Sequence, residues 1–187
     1  MAGLLAVGPA SAAVLKMGGT VKILGDIGSH EHVPFTNAFN GAMLSLPASE
    51  EVVLLLDSPG GDIRGALDIV KVIRAAQAYG TQVHAHVPAG GECSSACVAI
   101  LAVADRRTVA AGSILVVHGI RYQGPRIGVE DEIRRYGEES LRLIEAADDR
   151  FGRFLRDNRI IERNVELKFS GADLSAAFGG FVEFADD

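Results

Sequence analysis

A chain of 187 residues with 48% hydrophobic and 22% charged side chains has ample apolar material for one buried core, which excludes a disordered chain. Its formal net charge of −6 and pI near 5.4 argue against a nucleic-acid-binding surface, although 14 of its 18 cations are arginine. Two cysteines are too few for a disulfide scaffold or a full cysteine zinc site, and no apolar run reaches the roughly 18 residues of a membrane span.

From Met1 to Leu15 there is no charge, and Ala10-Ser11-Ala12 follows a short apolar run without a basic segment ahead of it. Two readings stand for residues 1–15: the remnant of a signal peptide, or a disordered or strand-forming terminus. Residues 16–187 read as a single soluble domain. Val21 to Leu24 predicts a strand ended by Gly25 and Asp26, and Phe35 to Leu46 a helix stopped at Pro47. Val52 to Leu56 is a continuous apolar run, expected of a parallel strand buried on both faces. After Ser58-Pro59-Gly60-Gly61, apolar residues at Ile63, Ala66, Leu67, Val70 and Ile73 form a helical stripe with Asp62 placed as its N-cap. Gln82 to Val87 predicts a strand closed by Pro88-Ala89-Gly90-Gly91, Ser95 to Ala104 a helix, and Arg107 to Ala110 and Ile114 to His118 two further strands. Residues 128–158 are charged and amphipathic, predicting a long helix interrupted at Gly137, laid on the domain or offered to a partner. The alternation of strand and helix is that of an α/β fold with right-handed crossovers.

Two glycine turns follow two apolar strands, and each opens a helix. Gly60-Gly61 brings bare N–H groups to a surface that no Cβ obstructs. Gly90-Gly91 leads into Glu92-Cys93-Ser94-Ser95-Ala96-Cys97, which sets a serine on the first turn of a helix. Unpaired N–H groups and the positive end of the helix dipole favour a developing oxyanion there. His118 closes the next apolar strand, and a parallel sheet gathers such groups at the carboxyl ends of its strands.

The segments LLLDSPGGDIRGALDIVKVI and GGECSSACVAILAVADRRTVAAGSILVVHG resemble the Clp protease proteolytic subunit family, with the envelope-associated bacterial relatives the nearer match. The resemblance implies the ClpP/crotonase-like α/β spiral of β-β-α units with a long amphipathic C-terminal helix. It also implies a serine endopeptidase in which Ser95 is the nucleophile, His118 the general base, and the N–H groups of Gly61 and Ala96 the oxyanion hole. Ser94 is the neighbouring alternative, and the Ser-Ala-Cys match selects Ser95. In the family the triad acid precedes a short helix ending in an aromatic-Gly pair. Counting back from Phe178-Gly179 reaches Leu167, so Glu166 beside it is the expected acid and Asp173 its rival. The serine-lysine dyad of membrane-bound relatives is disfavoured, because Lys71, the central lysine, falls within a predicted helix.

Three readings of Cys93 and Cys97 stay open: a disulfide across one helical turn, two buried free thiols, or a zinc site shared with His84 and His86. His30 and His32 fall in an expected loop and receive no role. Two other function classes compete with the peptidase: a catalytically inactive binding or assembly subunit, and a crotonase-like acyl-CoA enzyme using the same oxyanion geometry. No cofactor and no metal are expected. The expected partners are peptide or unfolded-protein substrates and further copies of the chain, as a homo-oligomer. The expected location is the bacterial periplasm or envelope, with the cytoplasm as the alternative.

Overall fold

The computed structural model describes residues 13–47, 50–121, 128–161, 163 and 165–185. Residues 1–12 of the N-terminal segment read above lie outside them. The last three residues of that segment open strand β1 (Ala13–Met17), which turns back antiparallel into β2 (Thr20–Leu24). Helix α1 (His32–Met43), strand β3 (Val52–Asp57), helix α2 (Ile63–Ala78) and strand β4 (Val83–Val87) follow. Then come the short β5 (Glu92–Ser94), helix α3 (Ala96–Val103), β6 (Arg106–Val109) and β7 (Ile114–His118). The C-terminal third holds α4 (Glu130–Ala147), α5 (Asp149–Asp157), β8 (Glu166–Ser170), α6 (Gly171–Ala177) and the two-residue β9 (Glu183–Phe184).

Two sheets result. The larger runs β1-β2-β3-β4-β6-β9, parallel from β2 onward. The smaller runs β5-β7-β8, with β5 parallel and β8 antiparallel to β7. The β3 run was expected to be buried on both faces, and the structure seals only one. Val52, Leu54 and Leu56 are at most 1% exposed, and Phe35, Phe39, Ile69 and Ile73 of α1 and α2 join them in the core. Val53 and Leu55, with His84 and His86 of β4, lie half-buried on the opposite face. Helix α3 is apolar all round and buried over its first seven residues, as a helix wedged between α2 and α4 must be.

Helix α2 begins as its sequence requires. The Asp62 carboxylate accepts the N–H groups of Arg64 at 2.8 Å and Gly65 at 3.1 Å, and pairs with the Arg64 guanidinium at 3.2 Å. Burial alone would raise this carboxyl, but the Arg64 side chain and the two N–H donors outweigh it and hold it below its ordinary value of 3.8. A carboxyl lowered on folding stabilises the fold above its unfolded pKa, and that stabilisation is lost as pH falls through the folded value. Asp62→Ala is therefore expected to cost about 1 kcal/mol at neutral pH. The difference from wild type should shrink progressively below the ordinary carboxyl range, measured by urea unfolding at pH 7 and at acid pH.

The single helix expected over residues 128–158 is two. The break falls at Asp148, not at Gly137. Asp148 is extended (φ −155°), its N–H closes α4 on the Ile144 carbonyl, and its carboxylate caps α5 by accepting the Phe151 N–H at 2.6 Å. Gly137 remains inside α4, where its missing side chain admits Ile161; a Cβ there would stand 3.2 Å from the isoleucine methyl. Arg156 of α5 clasps Glu145 through two hydrogen bonds, at 2.8 and 2.9 Å, and holds its carboxyl below the usual range.

Beyond α5 the chain is anchored by aromatic packing. Phe151 lies at the centre, its ring centroid 5.9 Å from Phe169, 4.8 Å from Phe178 and 4.7 Å from Phe181. Arg107 of β6 fastens the same segment, donating to the carbonyls of Phe181 (2.6 Å) and Ala104 (2.5 Å). Half-burial lowers its guanidinium from the ordinary value, although the acids Asp105, Asp148 and Glu183 oppose that shift.

Candidate active site

Three turns meet at the carboxyl ends of β3, β5 and β7, and each is built differently. The first is organised by Ser58, fully buried, whose hydroxyl donates to the Gly25 carbonyl at 2.7 Å and accepts the Gly60 N–H at 3.1 Å. Ile27 then brackets Gly61: its N–H donates to the Gly60 carbonyl at 2.6 Å, and its carbonyl accepts the Asp62 N–H at 2.7 Å. Gly61 adopts φ +136°, and a Cβ there would collide with the Ile27 main chain, so only glycine fits. Its own N–H has no main-chain acceptor among the described residues.

The second turn carries Ser95, and its backbone is strained. Ser95 has φ +55° and ψ −120°, one of two non-glycine residues with positive φ among those described. Such a conformation persists only where its surroundings over-determine it, and it is characteristic of functional sites. Two contacts hold it. The Ser95 N–H donates to the Val116 carbonyl at 2.8 Å, and Cys93 and Cys97, both fully buried, are joined by a disulfide that spans the serine with Cα atoms 5.3 Å apart. The hydroxyl is not spent on capping α3, which removes the commonest structural role for a serine at a helix start. Ser94, the neighbouring alternative, is 4% exposed and its hydroxyl is donated to the Glu92 carboxylate. The Ala96 N–H, at the first position of α3, has no main-chain acceptor among the described residues.

His118 ends β7. Its Nδ1 lies 2.7 Å from the Gly119 carbonyl. A carbonyl can only accept, so Nδ1 carries the proton and the Nε2 lone pair is left free to act as a base. Ser95, His118, Gly61 and Ala96 line one open cavity of about 820 Å³. The sequence-expected nucleophile, base and oxyanion donors are thus brought together.

The carboxylates behave differently. Antiparallel pairing of β7 with β8 puts Glu166 directly opposite His118. In such a pair the side chains share a face with Cβ atoms about 4.5–5.5 Å apart. The Glu166 carboxylate nevertheless takes a hydrogen bond from the Arg121 guanidinium, at 2.7 Å. Asp173 sits beyond the other end of β8, where Ser170 pairs with Ile114, about 14 Å along the strand from the His118 position. It is occupied in the cap of α6, where the Ser170 hydroxyl donates to its carboxylate at 2.7 Å. Lys71 is exposed and paired with Asp68 at 2.6 Å. The zinc reading falls because the two cysteines are bonded to each other. The rings of His84 and His86 share the Thr108 hydroxyl, at 2.7 and 2.8 Å. Among the described residues no cluster of three His, Cys, Asp or Glu could hold a metal, and no helix is long and apolar enough to cross a membrane.

The far wall of the cavity belongs to α4, through Ile133, Tyr136, Gly137, Ser140 and Ile144. Sequence reasoning treated this stretch as an outer or partner-facing surface. Its signal was present in the small residues Gly137 and Ser140 set among apolar ones at helical spacing, which leaves a hollow instead of a filled seam. Arg121 was also missed; it stands alone after the strand and belongs to no periodic pattern.

Strained serine turn, strand-end histidine and paired glycine turn sit on a ClpP-like α/β fold. Among solved structures the chain is similar to ClpP1 of Listeria monocytogenes, determined as an Asn-to-Asp variant, with a TM-score of 0.72 and 17% identity over 90% of this chain and 91% of that one. No family model matches the chain, and no curated protein matches it.

Proposed function

We propose that the chain is a serine peptidase that cleaves peptides held in extended form beside the Gly60-Gly61 turn, where strand addition offers main-chain hydrogen bonds. The observation that carries this reading is the convergence on one cavity of an uncommitted, conformationally strained Ser95 and a His118 with its Nε2 lone pair free. Nε2 takes the hydroxyl proton as Ser95 Oγ attacks the scissile carbonyl carbon, and the N–H groups of Gly61 and Ala96 receive the oxyanion. The protonated imidazole then hands its proton to the leaving amine. Water attacks the acyl-enzyme by the same route, with His118 as base, and releases the acid product. Glu166 is the triad acid in this reading, supported by its register opposite His118. The disulfide supports an oxidising compartment such as the periplasm or envelope, and the ClpP-like fold supports self-association.

Labelling with a fluorophosphonate, read by intact mass, tests the proposal. The folded wild type is expected to gain one adduct, and Ser95→Ala none. A wild type that stays unlabelled with its disulfide intact would favour the second reading, a ClpP-like binding or assembly subunit without activity. One observation speaks for that alternative: the Glu166 carboxylate is paired with Arg121, not with His118.

A further inference from the structure

We infer that Arg121 is a positioning residue that draws the Glu166 carboxylate away from His118 and so damps the nucleophile, an inference that rests on the peptidase reading above. The single proton on His118 Nδ1 can serve one acceptor. It serves the Gly119 carbonyl at 2.7 Å, although the strand register sets Glu166 directly opposite on the same face of the sheet. A charged acceptor makes the stronger bond and better supports the imidazolium formed in the reaction. The carboxylate is elsewhere because Arg121, three residues past His118, holds it at 2.7 Å. Arg121 also lines the reaction cavity, which places the holder of the Glu166 carboxylate on the wall that a bound peptide would face.

The pair is exposed, with side chains 50% and 48% accessible. Exposed pairs are weak and salt-screened, which makes the damping shallow and reversible. The other charged groups that face the cavity are Asp26, Asp62, Arg64 and Glu132. Of these, Asp62 pairs with Arg64 and Glu132 with Arg135 of its own helix, which leaves Asp26 as a further carboxylate on the cavity wall; Glu166 is placed beside His118 by strand register.

The test is the second-order rate of fluorophosphonate labelling of full-length Arg121→Gln beside wild type. Arg121→Gln is expected to label about two- to five-fold faster, the most that release of an exposed ion pair supplies. The acidic limb of its pH–rate profile is expected to move to higher pH, because a carboxylate on Nδ1 stabilises the protonated imidazole. Arg121→Lys should keep the wild-type rate, and adding Glu166→Gln to Arg121→Gln should erase the gain. Raising sodium chloride from 0.05 to 0.5 M should accelerate wild type and leave Arg121→Gln unchanged. Labelling of Arg121→Gln at or below the wild-type rate, or a gain that survives Glu166→Gln, would overturn the role of Arg121 while leaving the peptidase reading intact. Absence of labelling in wild type and all variants would remove the peptidase reading, and this inference with it.

Discussion

Replacing His118 by alanine is expected to slow fluorophosphonate labelling and peptide hydrolysis by about 10²–10⁴-fold, the usual contribution of a positioned general base. The size follows from the site. A serine hydroxyl is a poor nucleophile until a base takes its proton, and among the described residues the cavity offers Ser95 no other histidine and no lysine. Stability should change little, because His118 is half-buried at a strand end and its side chain contributes one hydrogen bond, to a neighbouring carbonyl. Far-UV circular dichroism and the thermal midpoint, recorded beside the rates, separate lost chemistry from lost fold. A His118→Ala protein that labels within tenfold of wild type would remove the histidine from the mechanism.

The largest expected effect on stability belongs to Phe151→Ala, at about 3–5 kcal/mol. Phe151 is fully buried, and its ring packs on Phe169 of β8, Phe178 at the end of α6 and Phe181 ahead of β9. Truncation removes the burial of one of the largest side chains and leaves a hollow between four separate segments. The walls cannot collapse into it freely, because Arg107 fixes the Phe181 carbonyl and Asp148 fixes the Phe151 N–H. In a domain of this size each kcal/mol corresponds to about 2–4 °C, so the midpoint should fall by roughly 6–20 °C. Phe154, half-buried against Phe169 and Phe178, should show a smaller loss on the same substitution. Equal losses at the two positions would mean that Phe151 is not the centre of the cluster.

Elements whose determinants are local could be read from the sequence. The β3 run, the Asp62 cap and the apolar stripe of α2 lie within a few residues of one another, and each forms where expected. The α4–α5 break was misplaced because Gly137 looks like the stronger interruption in a linear pattern. What decides the matter is distant: Ile161 packs against the glycine, while the Asp148 side chain caps the next helix. Strand β8 was not anticipated, since five residues alternating Glu, Leu, Lys, Phe and Ser carry little signal until β7 lies alongside. Residue types and order left Ser95, His118 and the glycine turns as weak signals, and it was the resemblance of their segments to the Clp family that singled them out. The position of Glu166 opposite His118 depends on a strand register across 48 residues of chain, and its capture by Arg121 on a side-chain competition that no spacing encodes.

The site has no single scaffold. Gly61 extends from the larger sheet, whereas Ser95 and His118 extend from the smaller one. The two are stitched beside Ser95 by the Ser58 N–H to the Glu92 carbonyl (2.6 Å) and the Ser94 N–H to the Ser58 carbonyl (3.0 Å). In the proposed mechanism, half of the oxyanion hole therefore faces Ser95 across a suture. A slip of one sheet against the other would part the two while leaving every helix and strand intact. The proposed activity would in this sense report on tertiary alignment, and fluorophosphonate labelling should fade under mild denaturant, by sub-global opening, before secondary structure does.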